Sequence, residues 1–170
     1  MITSQRAVET VSEAEGDVEL KPLYMDALRL VERLHRRLLD VIKDEFERRG
    51  RTDVNSVQAL LLFNIGDSEV TAGELRSRGY YQGSNVSYNL KKLVDMGYVN
   101  HERSRVDRRS VRISLSEKGL EVRHIVSELY ERHIATIEQV GGIATEDFAL
   151  LNKSLQRLER FWTDQILYRL

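Results

Sequence analysis

Two groups of side chains in the middle of this chain are suited to recognition chemistry. Ser84, Asn85, Ser87, Tyr88, Lys91 and Lys92 recur at short intervals that gather them on one side of a helix. Small polar and cationic groups on one helical face are what a DNA major groove accepts. An asparagine can read a base edge, a tyrosine can pack on a thymine methyl or bond a phosphate, and lysines suit phosphates. The second group is Arg103, Arg105, Asp107, Arg108 and Arg109, around a tip from Ser104 to Arg109 whose sole apolar anchor is Val106. An arginine-rich tip fits the narrow, electronegative minor groove. Either group alone reads equally well as solvated surface; the order of the elements around them decides.

Those elements follow from periodicity. Tyr24, Leu28, Val31, Leu34 or His35, Leu38, Ile42 and Phe46 make a helical stripe, with Pro22 at its start and Gly50 as its stop. A short apolar element runs through Val57 and Leu60 to Phe63 and closes near Gly66. Thr71 and Glu74 have capping-box spacing and begin a brief helix ending at Gly79. After the turn Tyr80-Tyr81-Gln82-Gly83, another helix carries the polar face, with Val86, Leu90, Leu93 and Val94 on its other side and Gly97 as its end. The period then becomes two. Val111, Ile113 and Leu115 alternate with Ser110, Arg112 and Ser114, and Tyr98 to Arg103 is the antiparallel partner. Two long helices follow. One runs from Glu117 to Val140, with Val122, Ile125, Leu129, His133, Thr136 or Ile137 and Val140 on its stripe; Gly141-Gly142 breaks it. The other starts after Thr145 and reaches almost to Leu170, with Phe148, Leu151, Leu155, Leu158, Trp162 and Ile166 on one side.

Composition narrows the function classes. The chain has 170 residues, a net charge of -1 and no cysteine, which excludes a disulfide scaffold, thiolate metal sites and a thiol redox switch. It fits a reducing, cytoplasmic setting. No apolar run exceeds Ala59–Phe63, and the first 22 residues carry five acidic side chains and no apolar stretch, so neither a membrane span nor a secretory leader is expected. His35, His101, His124 and His133 are scattered, so no metal or other cofactor is expected. There is no G-x-S-x-G, Walker loop or dinucleotide fingerprint, and an enzyme is not expected. The near-zero net charge conceals an asymmetry. Thr71 to Ile113 holds nine basic and four acidic residues, a local +5, which leaves -6 on the remainder. A basic patch on an acidic body is the electrostatic footprint of a DNA-binding face.

Short helix, turn, polar-faced helix and a hairpin with a basic tip is the order of a winged helix-turn-helix. The segment Ser84-Asn85-Val86-Ser87-Tyr88-Asn89-Leu90-Lys91-Lys92-Leu93-Val94-Asp95-Met96-Gly97-Tyr98-Val99 resembles the recognition helix and following strand of the MarR family of bacterial regulators. Asp107 to Gly119 resembles that family's wing and exit, the Asp-x-Arg signature being its more specific part. The resemblance covers Val54 to Gly119 by motif and the flanking helices by order only. It implies a homodimer with intertwined terminal helices, two winged lobes on a pseudo-palindromic operator in double-stranded DNA, and repression by occlusion. It also implies that Asp107 braces Arg109, and that a small aromatic or anionic effector binds between lobe and dimer helices to release DNA. Ile42, Leu62 and Phe63 lie where such a pocket would be lined, and equally where plain core would be. The chain departs from the family in Leu115-Ser116 where Leu-Thr is usual, in the Tyr80–Gly83 turn and in its acidic N-terminal segment.

The expected fold is thus mainly α with a small β-hairpin (α+β). A flexible acidic arm (1–22) and a dimerisation helix (23–50) precede the winged lobe (54–116), and C-terminal dimerisation helices (117–170) follow it. Apolar stripes on three flanking helices exceed what one small lobe could cover, which independently favours a dimer. Two rivals remain at this point. One is a winged-helix module for protein–protein assembly, which would show exposed apolar residues where this chain has Asn85, Lys91 and Arg108. The other is a PadR-like regulator, which the long helix before the lobe disfavours.

Overall fold

The computed structural model describes residues 19–77, 83–103 and 111–168, without the side chains of 72, 76, 77, 83–86 and 103. Helix α1 spans Leu20–Arg48, α2 Ser56–Ile65, α3 Ala72–Ser77, α4 Gly83–Asp95, α5 Glu117–Gly141 and α6 Thr145–Tyr168. Strands β1 (Val70–Thr71), β2 (Val99–Arg103) and β3 (Val111–Leu115) form one antiparallel sheet in the order β1-β3-β2. Helix α1 begins at Leu20, inside the 1–22 segment expected as a flexible arm. Pro22 lies in its first turn, where a missing N–H leaves no helical bond unmade. The rest of the arm lies outside the described residues.

The chain divides into two compact units, Met1–Leu38 and Leu39–Leu170. In the first, the described stretch is the N-terminal part of α1, whose Leu20, Leu23, Met25, Leu30 and Leu34 are all exposed. The second has the core. There α2 is apolar nearly all round, so burial encloses it: Ala59, Leu60, Leu61, Leu62 and Ile65 are buried. It packs chiefly on α5, through Val122, Ile125, Val126 and Leu129. The short strand β1 was not foreseen, since two residues are too few to show a period. It pairs Val70 with Ile113 and Thr71 with Arg112, adding a third strand to the expected hairpin. In that hairpin Val99 pairs with Leu115, His101 with Ile113 and Arg103 with Val111.

Local chemistry sets the joints. The Thr71–Glu74 capping box forms in both directions, at 2.6 and 3.1 Å. A second box, unread in the sequence, caps α2: Asn55 Oδ1 accepts from the Gln58 N–H at 2.9 Å, and Gln58 Oε1 accepts from the Asn55 N–H at 3.1 Å. Ser116 caps α5, accepting from the Gly119 N–H at 3.2 Å while its hydroxyl donates to Gly97 O at 2.7 Å. The serine in place of threonine therefore keeps the cap. A side chain at 119 is excluded, because a Cβ there would stand 2.2 Å from Tyr98 O. That contact seats the first turn of α5 against the end of α4.

Two charged clusters brace this unit. Arg51 grips Asp53 with its Nε and a terminal nitrogen, each at 2.8 Å, and the Tyr98 hydroxyl donates to the same carboxylate. Arg51 holds the Asp53 carboxyl far below the usual carboxylate range. Burial, reinforced by Asp53, pushes the Tyr98 phenol up to about 12. The second cluster centres on Glu45, 5% exposed, which is bonded by Arg49 and by Arg132 of α5, each at 2.7 Å. Burial alone would raise the Glu45 carboxyl; the hydrogen bonds from Arg49 and Arg132 outweigh it and hold the carboxyl low. Arg49 also reaches Glu128 at 2.8 Å.

Candidate nucleic-acid interface

The sequence of α4 places two kinds of residue on opposite sides. Leu90 and Leu93 are buried and Val94 is half-buried, so this side seats the helix on the lobe. Ser87, Tyr88, Lys91 and Lys92 are exposed together on the other. Tyr88 keeps 59% of its surface free, and the Lys92 Nζ lies 4.7 Å from the centre of its ring. This cation–π contact holds the two side chains as one unit. The backbone of α4 begins at Gly83, so Ser84 and Asn85 stand in its first turn, with side chains outside the described residues.

The end of α4 is fixed as tightly as its flank. Tyr98 N donates to Leu93 O at 2.8 Å and Gly97 N to Val94 O at 3.0 Å, the bond pair of a Schellman turn. Gly97 supplies the left-handed φ of 79° that such a turn requires. The chain thereby passes at once from α4 to β2. Tyr98, fully buried, anchors the corner through Asp53, and the Lys118 ammonium sits 4.1 Å above its ring. This corner was missed in the sequence, where Tyr98 was read only as the start of a strand.

In the hairpin, Ile113 is buried and Arg112 exposed, the expected alternation. Arg112 is paired with Glu69 at 2.8 Å, so one cation of the basic stretch is already neutralised within the lobe. Arg105, Asp107, Arg108 and Arg109 lie outside the described residues, as does the side chain of Arg103. A cleft of about 270 Å³ opens beside the exposed face of α4, lined by Ser87, Leu90, Lys91, Val94 and His101.

The residues considered for an effector sit elsewhere. Ile42 and Leu62 have no exposed surface, and Phe63 is half-buried with its ring edge-on to Tyr130 at 4.9 Å. His133, expected on an apolar stripe, is exposed, as are Ile134 and Val140 near it. Among the described residues no group of three or more histidines and carboxylates could hold a metal ion, and no helix is long and apolar enough to cross a membrane.

Residues 54–119 match a family model described as a winged helix DNA-binding domain. The whole chain is 35% identical to the exopolysaccharide II synthesis transcriptional activator ExpG of Rhizobium meliloti, over 98% of this chain and 85% of that protein. The fold resembles AbsC, a MarR family transcriptional regulator from Streptomyces coelicolor, with a TM-score of 0.65 and 21% identity over 86% of this chain and 99% of the other. It also resembles FabT of Streptococcus pneumoniae, solved in complex with DNA, with a TM-score of 0.61 and 23% identity over 83% and 98% of the two chains.

Proposed function

The chain belongs to the MarR family of winged helix-turn-helix regulators, a DNA-binding transcriptional regulator and not an enzyme; from that premise we propose that it acts as a homodimer on a pseudo-palindromic operator. The observation that carries the DNA reading is the exposed face of α4, where Ser87, Tyr88, Lys91 and Lys92 stand clear of an apolar seat. An assembly module would show apolar side chains there, and Tyr88 is the one large ring in the described part. Its hydroxyl and its pairing with Lys92 suit a groove better than a protein surface.

The homodimer is supported by a different face. On α6 no residue is buried, and Leu150, Leu151, Leu155, Phe161, Trp162, Ile166 and Leu167 are exposed. Of these, Leu151, Leu155, Trp162 and Ile166 recur on one side of the helix, and an exposed apolar stripe of this kind marks an interface. In such a dimer the two recognition helices fall ~34 Å apart, one helical turn of DNA.

Repression by occlusion is what the family resemblance implies. A second reading, activation, has a specific observation in its favour: the relative that spans nearly the whole chain is named an activator. The proposed effector remains a small aromatic or anionic molecule. Ile42 and Leu62, sealed in the core, would meet it only after the lobe repacks. The site of action is the cytoplasm.

Genome-wide selection of fragments bound by the purified protein tests this reading, with an Arg108→Ala/Arg109→Ala variant alongside. One enriched inverted repeat, weakened by the variant, is expected. A transcription assay on that fragment then separates activation from repression. No enriched motif at either low or moderate salt leaves the assembly module as the function.

A further inference from the structure

The cleft beside α4 has a position and a chemistry that the helix face alone does not explain. A recognition helix in the major groove and a wing in the adjoining minor groove leave one sugar–phosphate strand between them. That strand has to cross the space between α4 and the base of the hairpin. The cleft occupies this space: Ser87, Leu90, Lys91 and Val94 come from α4, and His101 comes from β2.

The register shows how His101 gets there. It pairs with Ile113, whose side chain is fully buried, so His101 stands on the sheet face that packs toward α4. Strand β2 is the sheet edge, which leaves the imidazole exposed at the rim. The neighbours Asn100 and Glu102 alternate to the opposite face. Leu90 and Val94 give the cleft its apolar lining, and Lys91 and His101 line it with them. Neither the Lys91 ammonium nor the His101 imidazole has a hydrogen bond or ion pair with any described residue. An apolar floor between two unpaired donors suits a deoxyribose below and a phosphate above.

We propose that this cleft seats one backbone phosphate of the bound DNA, gripped jointly by Lys91 and His101, with its sugar on Leu90 and Val94. The proposal rests on the DNA reading and adds His101, a residue outside both the recognition helix and the arginine-rich tip. A neutral imidazole already has one N–H to donate, so the contact works in either protonation state. Because the grip is on phosphate, it sets the register of the protein on DNA and carries no sequence preference.

Titration of the full-length protein against the selected operator and a scrambled duplex of equal length tests this, read by fluorescence anisotropy over a salt series. Lys91→Ala is expected to weaken binding to both duplexes by a similar factor, about tenfold, and to lower the salt slope by about 1. His101→Ala is expected to weaken both about threefold, and His101→Arg to restore or exceed wild-type affinity. A scan placing single neutral methylphosphonates along the operator should find one linkage per half-site that costs wild type affinity and costs the Lys91→Ala/His101→Ala variant nothing. Binding of both duplexes by the double variant at wild-type strength overturns the proposal and leaves the DNA reading standing. A loss confined to the operator also overturns it, since Lys91 or His101 then reads bases. Failure of the wild type to bind either duplex overturns both readings together.

Discussion

On α4 the uncovered side chains include Ser87, Tyr88, Lys91 and Lys92; on α6 they include Leu150, Leu151, Leu155, Phe161, Trp162 and Ile166. Exposure is common to the two helices, and its meaning differs. A polar, cationic face is at rest in water, so its arrangement has to be explained by what it touches intermittently. An apolar face is not at rest. Covering a large apolar side chain is worth about 1.5–3 kcal/mol. The apolar side chains of α6 therefore represent of order 10 kcal/mol per chain, comparable with the cost of association. One helix is thus read as a surface for DNA and the other as a surface for a second chain. The lobe has a core of its own, built from α2, α5 and the sheet.

The largest effect should come from spoiling the apolar face. Leu155→Glu/Trp162→Glu is expected to yield a monomer by sedimentation velocity and to lower operator affinity at least about a hundredfold, because two linked lobes become one. A dimer that persists with unchanged affinity would break the comparison at its α6 side. Next in size is a substitution at neither face. Gly119→Ala forces a Cβ into Tyr98 O and should cost the lobe about 2–3 kcal/mol in denaturant unfolding. It should reduce DNA binding only as far as it unfolds the protein.

On the α4 side, Tyr88→Ala should weaken operator binding about tenfold while the melting temperature stays within a degree or two, since an exposed side chain holds up little of the fold. A drop in melting temperature instead would show Tyr88 to be structural, and the contrast between the helices would fail. The smallest effects concern the corner that positions α4. Asp53 and Glu45 both have lowered carboxyl pKa values, so each stabilises the fold above the ordinary carboxylate range and ceases to as pH falls through it. Stability measured by urea unfolding should therefore decline below about pH 4, and less steeply in Asp53→Asn. Tyr98 has the opposite sign. Its raised pKa stabilises below about pH 10 and is lost as pH climbs toward about 12. Tyr98→Phe should remove that alkaline limb and cost about 1 kcal/mol at neutral pH.

How much of this was legible in the sequence follows from which interactions are periodic. The helices and the hairpin were, because their apolar residues repeat at 3.6 or 2 and Gly97 and Gly142 mark the ends. The polar face of α4 was legible for the same reason. The bond from Tyr98 to Asp53 was not, since it joins residues with no periodic relation and a tyrosine opening a strand reads as packing. His101 was missed as a site residue because its position depends on register with Ile113, which a single strand's pattern does not give. The Asn55–Gln58 box was readable in principle, by the same spacing that revealed Thr71 and Glu74. His133 misled because its helix stripe was drawn as one line, whereas burial on α5 ends at Leu129.

The central claim is that two recognition helices are held by an apolar interface to read one duplex. Hydroxyl-radical footprinting of the full-length protein on a selected fragment tests it most directly. The account predicts two equal protected patches on one face of the DNA, centred about 10 base pairs apart, with both patches lost together in Leu155→Glu/Trp162→Glu. A single protected patch that the wild type and this variant share would contradict it.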